Sequence, residues 1–174
     1  MEPLLKNKKG QFQSTLLAIV SIFILGVILF FFNHMNYQIY DKFDDYLEGN
    51  PTYNNTEAHI AIQDIKNVEG SRIWDYAFLA IFIGLIIQIV LFSFATRINI
   101  AFYWILILVD IPILIVGVVL SNVWQELVSN PEFSTTITRF PITDFLLGTY
   151  FPIAVTIFIF ISSIVLFGKR SDGL

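Results

Sequence analysis

Four stretches of about 20 residues with almost no charge dominate the hydrophobic pattern of the chain. The first, residues 14–33, is STLLAIVSIFILGVILFFFN, and the second, residues 76–95, is YAFLAIFIGLIIQIVLFSFA. The third, residues 99–120, is interrupted by Asp110 and Pro112, while the fourth, residues 145–167, is uncharged and carries Pro152. A bilayer's hydrocarbon core is about 30 Å thick and takes roughly 20 residues of helix to cross. The pattern predicts an all-α integral membrane protein with four transmembrane helices. The segments between them are 34–75, 96–98 and 121–144, with tails at 1–13 and 168–174.

The 34–75 segment has its own periodicity. Ile39, Phe43, Tyr46 and Leu47 recur at helical spacing, with Asp41, Asp44, Asp45 and Glu48 on another face. This predicts an amphipathic helix continuing from the first span and stopped by Gly49, Asn50 and Pro51. A second short helix is expected to start at Thr56 as N-cap, with Glu57 in its first turn, and to end at Gly70. Its apolar stripe is Ala58, Ala61, Ile62 and Ile65. Two amphipathic helices in one segment need a cover: the membrane surface, each other, or a partner. Ile39, Phe43, Tyr46, Leu47, Ile62 and Ile65 are therefore the expected interaction surface.

Composition reinforces the membrane assignment. Of the 174 residues 56% are apolar and 14% charged, and the mean hydropathy is +0.71, more apolar surface than a soluble fold of that length hides. Charge placement orients the spans. The two tails and the 96–98 turn carry six Lys or Arg against two carboxylates, whereas the two longer segments carry four against eleven. The positive-inside rule then puts both termini on the cytoplasmic side. Aromatic residues at the expected boundaries, among them Tyr37, Trp74, Tyr76, Trp124 and Tyr150, suit headgroup depth.

Most chemistry is excluded or unsupported. The chain has no cysteine, which removes disulfides, thiolate metal sites and cysteine nucleophiles. The carboxylate run lacks the alternation and central glycine of a calcium loop, so a solvated acidic face is expected. His34 and His59 are far apart in sequence with no third ligand, so no metal site is expected. No hydrolase, metalloprotease or nucleotide-binding motif is present, and no basic cluster suits nucleic acid. The expectation is a protein that is not an enzyme, with no cofactor. Asn54-Asn55-Thr56 is a formal glycosylation sequon.

Within the spans, Asp110 carries an insertion cost of roughly 2.5 to 3.5 kcal/mol. Pro112, two residues on, frees the carbonyl of Leu108, which a protonated Asp110 can donate to; Gln88 in span 2 is the other expected partner. Ala80 and Gly84, with Ala77, put small side chains on one face of span 2 and permit close helix approach.

Residues Lys8-Lys9-Gly10-Gln11-Phe12, followed by an apolar helix, resemble the leader of archaeal prepilin-type proteins. The resemblance covers about 25 residues and implies cleavage after Gly10 and an archaeal or archaeal-virus origin. The sequence departs from that pattern at Thr15, where many pilins carry glutamate, and in its three further spans.

The expected function is that of a non-enzymatic structural or assembly membrane protein, embedded in a cell or virion lipid bilayer. It packs with copies of itself or with other membrane or coat proteins. The alternative from a different class is a small oligomeric channel or proton-coupled transporter built on Asp110.

Overall fold

A computed structural model describes residues 2–95 and 103–157, with side chains over 16–87 and 111–157. The described residues are helical and contain no strand. The first helix, α1, runs without a break from Glu2 to Glu48. At 1.5 Å per residue its 47 residues extend about 70 Å, more than twice the thickness of a hydrocarbon core. The first span and the amphipathic stretch after it are thus one rod. Nothing in residues 11–48 forces a break, since proline is absent there and Gly26 is the sole glycine. Gly49, Asn50 and Pro51 end it, with the Gly49 N–H on the Asp45 carbonyl at 3.0 Å.

Helix α2, Glu57–Glu69, begins where the sequence places it. The Thr56 hydroxyl accepts the His59 N–H, and Glu57 complements the N-terminal dipole. Gly70 closes it in ordinary right-handed geometry. A side chain there would crowd the Lys66 carbonyl and the Tyr37 ring, so the glycine marks a close approach to α1. Helix α3 spans Ile73–Ala95 and α4 spans Tyr103–Val128, with Pro112 inside α4. A 3-10 turn at Pro131–Phe133, a single turn α5 at Ser134–Ile137 and α6 at Pro141–Leu147 follow. Helix resumes over residues 151–157 after a break at 148–150. The fourth expected stretch therefore begins with the end of α6 and a turn.

Among the described residues, two helices, α1 and α4, are long and apolar enough to cross a membrane. The number is three if α2 and α3, which meet at a 41° bend, are counted as one broken span. The remaining parts of the expected third and fourth spans, with the 96–98 turn, lie wholly or partly outside the described residues.

The elements after α1 pack against it at one end, forming a cap. Phe30 of α1 is fully buried and meets Trp124, Phe133 and Phe140 edge-on at centroid distances of 5.4, 5.5 and 5.5 Å. Each such pair contributes about 0.5–1.5 kcal/mol beyond the burial itself. Gly26, one turn before, lies where Leu147 of α6 and Phe78 of α3 press against the α1 backbone. Any side chain there would displace them.

A polar tie fixes the cap to α3. Helix α6 starts at Pro141 with Phe140 in the N-cap position, and phenylalanine offers no capping oxygen. Asp75, in the first turn of α3 and fully buried, supplies it. Its carboxylate accepts the Ile142 N–H at 2.9 Å, the Thr143 N–H at 2.7 Å and the Thr143 hydroxyl at 2.7 Å. Asp75→Ala removes the acceptor for three donors, two of them buried, and is expected to cost about 2–4 kcal/mol. Hydrogen exchange checks this: the Ile142 and Thr143 amides should lose protection in the variant while the middle of α1 keeps it.

Candidate functional site

The cap is where polar and apolar groups are sorted in an unexpected way. Along α1, Asp44 turns inward rather than to solvent. Its Oδ1 takes a hydrogen bond from His59 Nε2 at 2.9 Å, and its Oδ2 one from Lys66 Nζ at 2.7 Å. Lys66 also reaches Asp41 at 2.7 Å. The face expected to be solvated is in part the face on which α2 docks, because α2 supplies His59 and Lys66 at helical spacing. The tautomer of His59 follows from its partners. Its Nδ1 accepts the Asn55 N–H at 3.1 Å, so Nε2 carries the proton given to Asp44. Asn55 reaches this position through a left-handed conformation, φ 60°, which asparagine tolerates.

Three further ties run from α1 to the cap. Asn33, fully buried, donates from Nδ2 to the Glu69 carbonyl at 2.6 Å, and the Trp74 indole donates to Glu69 Oε2 at 2.8 Å. His34 Nδ1 and Thr136 Oγ1 are 2.7 Å apart, and Gln38 Nε2 lies 3.0 Å from His34 Nε2. Arg139, 7% exposed, stacks its guanidinium over the Tyr37 ring at 3.4 Å, a cation–π contact.

Two of these pairs invite a catalytic reading, and geometry argues against it. His34 and Thr136 have the separation of a base and a hydroxyl nucleophile, but both are buried. The Phe133 ring stands edge-on to the imidazole at 4.8 Å, and the partner of the other ring nitrogen is an amide rather than a carboxylate. His59 and Asp44 have no nucleophile beside them among the described contacts. No group of three or more His, Asp or Glu side chains suited to a metal ion occurs among the described residues.

The expected interaction surface is outside the sorted polar groups. Ile39, Phe43 and Tyr46 are 47%, 53% and 63% exposed, Leu47 is half-buried, Ile62 is half-buried and Ile65 is exposed. In α2 the inward residues are His59 and Lys66, so Ala58, Ala61 and Ile65 face away from α1. Pro112 and Ala80 are exposed, and a side chain built at Gly84 would meet nothing within 4 Å. Among the described residues nothing packs at Gly84, and a close approach to a helix backbone is made at Gly26. Gln88 and Asp110 fall on α3 and α4, and their side chains lie outside the described residues, as does any contact between them. The Lys8 to Phe12 segment is helical backbone within α1.

Sequence reasoning singled out none of Asp75, Phe30, Trp124, Lys66 or Arg139 as organising residues. One signal was available: a helix beginning Phe-Pro-Ile-Thr has no capping residue of its own and calls for a distant acceptor.

The electrostatics of the α1–α2 clamp have a defined sign. The Lys66 hydrogen bond, aided by His59, holds the Asp44 carboxyl below its ordinary 3.8 against the opposing effect of burial. The Asp41 and Asp44 carboxylates push Lys66 above its ordinary 10.5. A depressed acid stabilises the fold above its ordinary value and loses that contribution as pH falls through the lowered one. A raised base does so below its ordinary value and loses it as pH rises through the raised one. The clamp is at full strength between about pH 4 and 10. Lys66→Met is expected to cost about 1–2 kcal/mol at pH 7, since Asp41 is half-exposed and screened. In thermal unfolding the gap to the parent protein should close as pH falls below 3.8; an undiminished gap at low pH would contradict the clamp.

No family model, no curated protein and no solved structure matches this chain, so its function has to be argued from the cap itself.

Proposed function

We propose that this chain is a non-enzymatic structural or assembly protein of a cell or virion membrane. It crosses the bilayer four times with both termini on the cytoplasmic side, and its cap stands outside. There the cap packs against copies of the chain or against other membrane or coat proteins.

One observation carries this reading: four charged or titratable groups of the cap are turned inward onto partners while large hydrophobes of α1 are turned outward. Asp44, His59, Lys66 and Asp75 are engaged with partners within the chain, while Ile39, Phe43 and Tyr46 point outward at about half exposure or more. Contiguous exposed apolar surface on a folded chain is a mark of an interaction site. Inward pairing of the polar groups also gives that surface a fixed shape, which suits permanent packing better than transient capture. The concentration of Lys and Arg in the two tails and the 96–98 turn favours the cytoplasmic side for them, and so the opposite side for the outer segments. In support, α1 and α4 are each long and apolar enough to cross, and residues 76–95 form an uncharged stretch of spanning length.

The test is the native mass after mild extraction from the chain's own membrane, with identification of co-purifying proteins. The expected result is an assembly well above the 20.0 kDa of one chain, retaining other subunits or many copies. A lone monomer would overturn the assembly role. A small discrete homo-oligomer, with ion flux abolished by Asp110→Asn, would instead establish the transporter.

A further inference from the structure

Resting on the outward placement of the cap in that reading, we infer that Asn54 carries an N-linked glycan, transferred from a lipid-linked oligosaccharide. Asn54-Asn55-Thr56 is the one Asn-x-Ser/Thr triplet of the chain with a residue other than proline in the middle. Asn50-Pro51-Thr52 is closed to this chemistry by its proline, and the Asn50 side chain is engaged in the loop, where its Oδ1 accepts the Thr52 N–H at 3.0 Å.

The structure sets the acceptor at the corner of a reverse turn between α1 and α2. The Thr56 N–H and hydroxyl both donate to the Tyr53 carbonyl, at 3.2 and 2.7 Å, so Asn54 and Asn55 are the two corner residues. The hydroxyl that completes the triplet is thereby held beside the peptide that joins Tyr53 to Asn54. Both corner residues are exposed. Among the described residues, Asn54 Nδ2 has one contact, the Glu48 carbonyl at 3.3 Å, longer than an ordinary N–H···O hydrogen bond. Asn33 is the contrast, with its Nδ2 buried and bound at 2.6 Å to Glu69. The Asn54 amide thus holds little of the fold, and a bulky group on it displaces no packed side chain.

Height supplies the remaining condition. Asn33 ends the first uncharged stretch, and Glu48 follows 15 residues later on the same unbroken helix. With α1 along the membrane normal this is a rise of about 22 Å, against a headgroup layer of about 5–8 Å. The turn therefore stands in water beyond the lipid. In the transfer, Nδ2 attacks the anomeric carbon of a lipid-pyrophosphate oligosaccharide. The N–C bond forms as the bond from that carbon to the pyrophosphate oxygen breaks, the lipid pyrophosphate leaves, and one amide proton passes to a base of the transferase. The product is a hydrophilic bulk that keeps the turn in solvent and restricts protein partners to the flanks of the cap.

Capping of α2 accounts for Thr56 and gives no reason for Asn54, so the test has to separate the two roles of the threonine. The intact mass of the protein from its own membrane is measured for the parent and three variants. The expected result is one discrete increment above the 20.0 kDa of the chain in the parent, retained in Thr56→Ser and lost in Asn54→Gln. It is also lost in Thr56→Asn, which keeps a capping oxygen for α2 but removes the hydroxyl. An increment that survives Asn54→Gln or Thr56→Asn would overturn the inference. If the parent shows no increment, Asn54→Cys, in a chain with no other cysteine, is treated with a membrane-impermeant maleimide on intact cells or virions. Labelling there would overturn the glycan and leave the outward cap standing. Labelling only after the membrane is opened would overturn both.

Discussion

The continuity of α1 is the constraint on which the other elements depend. One helix carries Gly26, against which α3 and α6 close, and Phe30, around which three aromatic rings gather. One turn higher it carries Asn33 and His34, which hold Glu69 and Thr136, and beyond them Asp44, which holds α2. These contacts are arranged in order of height along a single rod, so a break anywhere between Gly26 and Asp44 would uncouple the cap from the apolar helices. The sequence meets that demand by keeping proline and a second glycine out of the stretch until Gly49.

Burying charge is costly, and the cap offsets the cost by pairing. Asp44 has two donors, Asp75 has three, and the Glu69 side chain accepts from Trp74. Such networks contribute little net stability relative to well-packed apolar groups, but they fix geometry, because each donor and acceptor has one satisfactory arrangement. Asn33 Oδ1 and Arg139 Nη1 are the buried side-chain atoms left without a hydrogen bond among the described residues. Burial lowers the pKa of Arg139, and Tyr37 and Asp41 act in the opposite direction. The guanidinium is retained by the Tyr37 ring face rather than by a carboxylate.

Local signals mark the bounds of α2 and the end of α1 almost residue by residue. Thr56 caps, Glu57 opens and Gly70 closes α2, and Gly49 to Pro51 ends α1, because capping and termination depend on nearest neighbours along the chain. The apolar faces of those helices were legible too, but which face turns inward was not. Amphipathic periodicity separates two sides without saying which one meets protein. At Asp44, partners from 15 and 22 residues away reverse the usual choice. The cap between Trp124 and Leu147 was read as a plain segment for a similar reason: it is built from aromatic contacts and an α6 cap that come from α1 and α3, across long sequence separations. Small residues show the same limit. Gly26 has no small partner at helical spacing to mark it, yet it is the glycine against which Leu147 and Phe78 close.

The central claim is that the outward hydrophobes of the cap are a buried surface in the working membrane. The most direct measurement is the rate at which a water-soluble maleimide modifies Phe43→Cys in intact native membranes, compared with the same protein dispersed to monomers in detergent. The account predicts strong protection in the membrane and rapid labelling after dispersal, because Phe43 is 53% exposed in the single chain and covered by protein in the assembly. Equally rapid labelling in both states would show the surface facing water and contradict the account.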